Sequence, residues 1–358
     1  MFLTRIILHD FKNIPEAEVR FSPKVNCIYG SNGAGKTNLL DAIYYLSMTK
    51  SCFSASDQYV YAFGAPEATL CGFYEMDGGT EEKISVAVRR GGEKEVRRGA
   101  KAYGRFSEHI GLLPVVMVSP GDSALVSDSG EERRRLANAV LSQMDREYLA
   151  AVQAYNRLLA QRNKMLKDFA PDASLLDVLD SRMASHAAVI LKARAQFTEQ
   201  LKPVVAEYYR LISGGGESVS IDYKADAFSP DREKDFAMHY TTSGPQRDDF
   251  LFTMDGHPIR RCGSQGQQKS FLVALKFAQY EVMKAACGFP PIMLLDDLFD
   301  KLDMNRVGNL LRLVADKEFG QIFLSDSNKV RTESIVDTLT ADRSYFETAG
   351  GVFTPVNE

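Results

Sequence analysis

The chain has no apolar run near the ~20 residues needed to cross a bilayer. Its opening, MFLTRIILHDF, has neither the long apolar core nor the small-residue cleavage site of a secretory leader. A soluble, cytoplasmic protein with no membrane partner is expected. Cysteine is sparse: Cys27, Cys52, Cys71, Cys262 and Cys287 are odd in number, scattered and never spaced as CxxC. That pattern argues against a disulfide framework and a zinc site. The five histidines (His9, His109, His186, His239, His257) form no HExxH or other ligand pair. Neither sign of charge dominates, with 43 Lys and Arg against 47 Asp and Glu, so a surface for a polyanion has to be a local patch. Internal repeats and low-complexity segments are missing, and no heptad pattern lasts long enough for a long coiled coil.

What is present is ordinary globular material. At 358 residues and 45% hydrophobic, the chain suits two domains, or one large domain with an insertion. FLTRIIL (2–8) and residues 25–30 have the composition of strands, and Leu39, Ile43 and Leu46 then switch to helical spacing. Residues 68–105 suggest β-hairpins turning at Asp77 to Gly79 and at Gly91-Gly92, followed by a buried strand ending at Pro120. From Glu131 to Ile212 the pattern is helical, with Met144, Tyr148, Val152, Tyr155 and Leu159 in helical register, an interruption at Pro171 and an end at Ser213 to Gly216. SVSIDY, a hairpin over 249–261, a helix after 263, the strand PPIMLLDD, a helix near 306–315 and the strand QIFLS complete the order. The expected division is an α/β domain from 1–125 and 240–358, with a mainly helical lobe inserted at 126–239.

Between strand and helix lies GSNGAGKT, residues 30–37. Gly30, four residues, Gly35, Lys36 and Thr37 make a complete phosphate-binding loop in the context that loop needs. Backbone N–H groups from Ser31, Asn32, Gly33, Ala34, Gly35 and Lys36 can surround a phosphate, with Asn38 in the first helical turn adding the helix dipole. Lys36 would bridge the outer phosphates and the Thr37 hydroxyl would ligate Mg²⁺. An acid on a neighbouring strand should complete the metal site. PIMLLDD offers Asp296 on the metal side and Asp297 to orient or deprotonate water; the competing reading is a helix cap.

A second anion-binding element follows. Gly263-Ser264-Gln265-Gly266-Gln267 opens an amphipathic helix and resembles the LSGGQ signature of ABC-class ATPases, which reaches across a dimer to the partner's nucleotide. A plain helix cap is the alternative. With FKN (11–13), ERRRLANAVLSQMDREYL (132–149), YNRLLAQRN (155–163), GPQRDD (244–249), GSQGQQKS (263–270) and MLLDDLFDKLD (293–303), the chain resembles the RecF family of bacterial DNA-repair ATPases along almost its whole length.

That resemblance implies an ABC-type ATPase head of mixed sheet, with a β-rich subdomain and an inserted helical lobe. It implies ATP and Mg²⁺ as cofactors, a homodimer formed on ATP binding, double-stranded and gapped DNA as ligand, and RecR, RecO and RecA as partners. Slow hydrolysis would drive release. By position, Lys12 and Asn13 approach the nucleotide, Gly263 to Gln267 engage ATP in trans, and Asp300 and Asp303 match the D-loop. Asp41 stands in place of the family's Glu, an exchange expected to be silent, and Gln246 in place of the His of GPHRDD. SPGDSALV (119–126) lacks the Pro-Glu-Asp order of the Q-loop, and Ser325-Asp326-Ser327 lacks the switch histidine, which predicts slow turnover.

For DNA, residues 89–105 carry seven Lys or Arg against two Glu. Arg89, Arg90, Arg97, Arg98 and Lys101 are the candidates there, and a charge-protected sheet edge is the alternative. Arg133, Arg134 and Arg135 suggest a solvated helix start or a second basic patch, and Tyr155, Arg157, Arg162 and Asn163 suggest lobe core and surface. An ABC transporter subunit is disfavoured by the 226 positions separating Thr37 from Gly263. A structural head that binds ATP without hydrolysing it stays open.

Overall fold

The computed structural model describes residues 1–168, 172–297, 319–337 and 340–356. In chain order the elements begin β1 (Phe2–Phe11), β2 (Ile14–Arg20), β3 (Val25–Tyr29), α1 (Lys36–Met48), β4 (Glu67–Glu75), β5 (Glu81–Arg89), β6 (Lys94–Arg98), β7 (Lys101–Ala102) and β8 (Val115–Val118). Next come α2 (Ala124–Ser127), α3 (Gly130–Met144), α4 (Arg146–Met165), α5 (Ala173–Ser213), β9 (Val219–Lys224) and α6 (Arg232–Met238). Then follow β10 (Asp249–Met254), β11 (His257–Pro258), α7 (Ile259–Cys262), α8 (Gln265–Cys287), β12 (Ile292–Asp296), β13 (Ile322–Asp326), the helix Lys329–Val336, β14 (Arg343–Ala349) and β15 (Val352–Pro355).

The chain divides into two compact units, Met1–Asp122 with Leu211–Gly214 and Met283–Glu358, and Ser123–Arg210 with Gly215–Val282. The anticipated boundary at 240 therefore falls inside the second unit, which also takes in β10 and most of α8. The reason is local: β10 pairs along its whole length with β9, from Asp249↔Lys224 to Met254↔Val219, so neither strand can leave the other's unit.

The first unit holds two six-stranded sheets. One is antiparallel, ordered β2-β1-β4-β5-β6-β7; the other is ordered β15-β14-β3-β13-β12-β8 and is parallel apart from β15. Every residue of β3, β8, β12 and β13 is buried, as a parallel sheet covered on both faces requires. Sequence spacing gave α1 one apolar face, yet it is buried all round, through Leu39, Leu40, Ile43, Tyr44, Tyr45, Leu46 and Met48. It packs against strands of both sheets, β4 in one and β12 and β13 in the other, so it has no solvent side to keep polar. Buried Gln321 joins the same two sheets: its Oε1 accepts from Leu3 N at 2.7 Å, and its Nε2 donates to the carbonyls of Leu3 and Ser22 at 2.8 Å each.

The helical region resolves into α3, α4 and α5; α5, whose last residues from Leu211 belong to the first unit, ends at Ser213 ahead of Gly214 as the sequence suggests. The β10–β11 turn is at Asp255-Gly256, with φ of 48° and 78°, left-handed values that Gly adopts freely and Asp tolerates. The interruption at Pro171 and the helix near 306–315 lie outside the described residues. Among the described residues no helix is long and apolar enough to cross a membrane.

Candidate nucleotide site

Parallel strands β3, β13 and β12 carry their C-terminal ends to one edge of the sheet, the edge where α/β folds bind ligands. The loop after β3 turns through left-handed backbone at Gly33 (φ 80°) and Gly35 (φ 113°) before α1 begins at Lys36. Lys36 is buried, and its ammonium donates to the carbonyls of Gly30 (2.7 Å) and Ser31 (3.1 Å). Above the loop is a cavity of about 300 Å³ lined by Asn13, Asn32, Gly33, Gly35, Lys36, Thr37, Asn38 and Asp297.

Thr37 and Asp296, 259 positions apart, meet here: the Thr37 hydroxyl lies 3.0 Å from both carboxylate oxygens of Asp296. Ser325, one strand over in register with Asp296, donates from Oγ to Asp296 Oδ1 at 2.6 Å and accepts the Asp297 N–H at 3.1 Å. Burial pushes the Asp296 carboxyl above the usual range, opposed by the hydrogen bonds from Ser325 and Thr37. Asp297 sits at φ 46°, a left-handed conformation rare outside glycine. The turn sets Asp297 on the cavity wall while Asp296 stays buried against Thr37. A hydroxyl and a carboxylate are hard oxygen donors and fit Mg²⁺, which takes one or two protein ligands and fills its shell with phosphate and water. Among the described residues no cluster of three or more His, Cys, Asp or Glu could cage a metal on its own.

Lys12 and Asn13 part company. Asn13 lines the cavity, donating from Nδ2 to Gly33 O (2.9 Å) and accepting at Oδ1 from Asn38 Nδ2 (2.7 Å). The Lys12 ammonium turns to Asp41, 2.5 Å from Oδ2. Asp41, fully buried on α1, also accepts from Ser51 Oγ and Cys52 N, each at 2.7 Å. It thus holds Lys12 and the segment after α1 in place. In the SPGDSALV stretch, Asp122 accepts from Ser119 N at 2.7 Å.

The second unit carries the signature-like loop at the start of α8. Ser264 N–H donates to Gln267 Oε1 (2.8 Å), and Gln267 N–H donates to Ser264 Oγ (3.3 Å). This is a reciprocal capping box, so the cap reading is part of the geometry. Gln267 Nε2 also donates to Glu217 (2.6 Å), while Ser264 and Gln265 are exposed. Asp300 and Asp303 lie outside the described residues.

In the arginine run at the start of α3, only Arg135 keeps to a solvated helix start; the other two turn to the GPQRDD end and β10. Arg133 grips Asp249 through Nε (2.7 Å) and Nη2 (3.0 Å), Arg134 donates to Asp248 O (2.6 Å), and only Arg135 stays with its helix neighbours Glu131 and Glu132. Asp248 and Asp249 end the GPQRDD motif, so two of the three arginines tie α3 to that loop and to β10. Gln246 accepts from the buried Tyr155 hydroxyl (2.6 Å) and donates to Ser243 O (2.7 Å). Arg162 is fully buried and paired with Asp180 and Asp235.

The basic hairpin is largely neutralised by glutamates, two within 89–105 and two on neighbouring strands. Arg89 pairs with Glu67 and Glu93, Arg97 with Glu95, and Arg98 with Glu82. Among the described residues Arg90 and Lys101 make no ion pair; both are exposed, and Arg90 lies 5.9 Å from the centre of the Tyr61 ring.

Ser325 is the site residue that sequence reasoning passed over. It registered there only as a position without histidine; its place beside Asp296 depends on strand register, which one sequence does not reveal.

The family model for the RecF/RecN/SMC N-terminal domain matches residues 2–341. The chain is 41% identical over 366 residues to the DNA replication and repair protein RecF of Parabacteroides distasonis, covering all of both chains. It is 40% identical over 361 residues to that of Bacteroides thetaiotaomicron, covering 98% of each. A solved structure of the recombination mediator protein RecF with ATP, from the RecFOR pathway, superposes with a TM-score of 0.88 at 26% identity over 99% of this chain and 98% of that one. An Smc head domain from Pyrococcus furiosus shares the fold, with a TM-score of 0.59 at 17% identity over 99% of this chain and 96% of that one.

Proposed function

The chain belongs to the RecF family, and on that premise we propose that it is an ATP-driven DNA-binding protein of replication and recombinational repair. It closes as a homodimer around two ATP molecules, holds gapped duplex DNA, and works with RecO and RecR in placing RecA. Hydrolysis is slow and times release. The observation that carries this reading is the linked set Thr37, Asp296, Ser325 and Asp297 at the mouth of the phosphate loop. Backbone N–H groups of the 31–36 loop, apart from that of Ala34, which donates to Ser31 O at 3.2 Å, and the Lys36 ammonium take the phosphates, and Thr37 with Asp296 would hold Mg²⁺. When bound, that ion supplies positive charge to the outer phosphates. Asp297 orients water, and Ser264 to Gln267 of the second copy offer the exposed first turn of α8 to the first copy's nucleotide. The exposed Ser264 supports this trans role, as does the missing switch histidine for slow turnover.

Light scattering tests it: with ATP and Mg²⁺ the molar mass should double, and with ADP it should not. A protein that stays monomeric with ATP overturns the reading.

For DNA, the free charges decide among the hairpin residues. The double change Arg90→Glu with Lys101→Glu should weaken duplex binding and flatten its log–log salt dependence by about two, one per phosphate contact. The paired Arg97 and Arg98 contribute less. An unaltered slope in the double variant removes the hairpin from the DNA surface.

A further inference from the structure

The phosphate loop is gripped from behind by the chain's last hairpin. Strand β14 runs parallel to β3 with Phe346 opposite Ile28 and Glu347 opposite Tyr29, so its next residues arrive beside the loop as it leaves the sheet. Two donors converge there on one acceptor: Thr348 Oγ1 at 3.0 Å and Gly351 N at 2.9 Å both bond the Ala34 carbonyl. Thr348 is buried, so water does not compete for this contact. The approach is close on both sides. A Cβ on Gly30 would lie 2.3 Å from Thr348 O, and one on Gly351 would lie 2.4 Å from Asn13 O. Gly351, at φ 81°, therefore wedges between the loop and the Asn13 strand end.

We propose that the β14–β15 hairpin, through Thr348 and Gly351, is a positioning element for the phosphate loop: it fixes the Ala34 carbonyl pointing outward and so turns the Gly35 N–H, in the same peptide unit, inward. A peptide unit whose carbonyl is held on one face presents its N–H on the other, and a loop preset in that way loses less freedom when an anion arrives. Thr348 touches no ligand in this scheme; it acts through Ala34. The inference rests on the reading of the 30–37 loop as the nucleotide site.

The test is titration of the full-length protein with a fluorescent ATP analogue and Mg²⁺, alongside melting curves taken without nucleotide. Thr348→Val keeps the shape and removes the hydroxyl; it should weaken affinity about five- to tenfold, the worth of one buried hydrogen bond. Thr348→Ser should stay within about twofold of the parent, and both should melt within a few degrees of it. If Thr348→Val binds like the parent, or Thr348→Ser binds as weakly as Thr348→Val, the positioning role is wrong. Should Thr348→Val not fold, Thr348→Ala removes the same hydroxyl and is read by the same criterion; failure of both to fold would make the contact a folding contact and overturn the proposal. Lys36→Ala separates the two claims. Parental affinity in that variant refutes the nucleotide site itself, whereas lost affinity there with unchanged affinity in Thr348→Val refutes the hairpin's role alone.

Discussion

Asp297→Asn should slow phosphate release by a factor of about 10² to 10⁴, the usual range for removing a group that moves or orients a proton, and leave ATP binding intact. The exchange keeps size and shape, and it leaves the Asp296–Thr37–Ser325 contacts untouched, since Ser325 meets residue 297 only through its backbone N–H. ATP-bound dimers should therefore persist on DNA, measurable as a doubled scattering mass that fails to decay and as a slow off-rate from a gapped duplex. Asparagine also accepts left-handed backbone, so the φ of 46° is not a reason for the variant to misfold. Phosphate release equal to the parent's would mean that this carboxylate takes no part in hydrolysis and would favour a head that uses ATP only as a structural clasp.

The second large effect lies in the other unit. Arg194 is buried, and it donates to Asp248 Oδ2 (2.5 Å), Pro245 O (2.7 Å), Asn138 Oδ1 (2.9 Å) and the Tyr148 hydroxyl (3.1 Å). Asp248 is equally buried and also accepts from Tyr223 OH. Burial pushes its carboxyl up, with Arg194 opposing. Arg194→Met leaves that carboxylate without its cation and should cost about 3–5 kcal/mol, seen as an earlier urea midpoint. The pH dependence gives the sign. Without Arg194 the folded-state pKa of Asp248 rises further above its unfolded value, so the stability tied to its proton is present at low pH and is lost as pH climbs. The gap between variant and parent should thus widen from pH 4 to pH 8. Adding Asp248→Asn should recover part of the loss. A gap that does not change with pH would place the cost in packing.

The two kinds of contact differ in how far a lone sequence reveals them. Gly30 to Thr37 could be read because the spacing itself encodes the chemistry, and Asp296-Asp297 because an apolar run ending in acid marks the ligand end of a parallel strand. The hairpins expected over 68–105, which run as β4–β7, and the end of α5 were legible from turn residues. What escaped depends on partners far away in the chain. Asp41 gives no sign that it holds Lys12, and Ser325 none that it touches both aspartates. Arg133 and Arg134 look like surface charge until β10 supplies Asp249 and the residue before it the Asp248 carbonyl. The hairpin cations looked like a polyanion patch because their glutamate partners, Glu67 and Glu82, sit on adjacent strands outside the segment. In each case cross-strand register or tertiary packing, absent from local composition, decides the role.

The place of β3 in its sheet has a consequence for biosynthesis. Its neighbours are β13 and β14, which the ribosome delivers long after it. At ~5–20 residues per second, the nascent phosphate loop hangs from a strand with two open edges for roughly 15–60 s. The antiparallel sheet, whose strands all come from the first 102 residues, can meanwhile assemble from near neighbours and shelter that strand. Completion of the parallel sheet therefore waits for β13 and β14, and a translation product cut short before them leaves the 30–37 loop on a strand without its two neighbours.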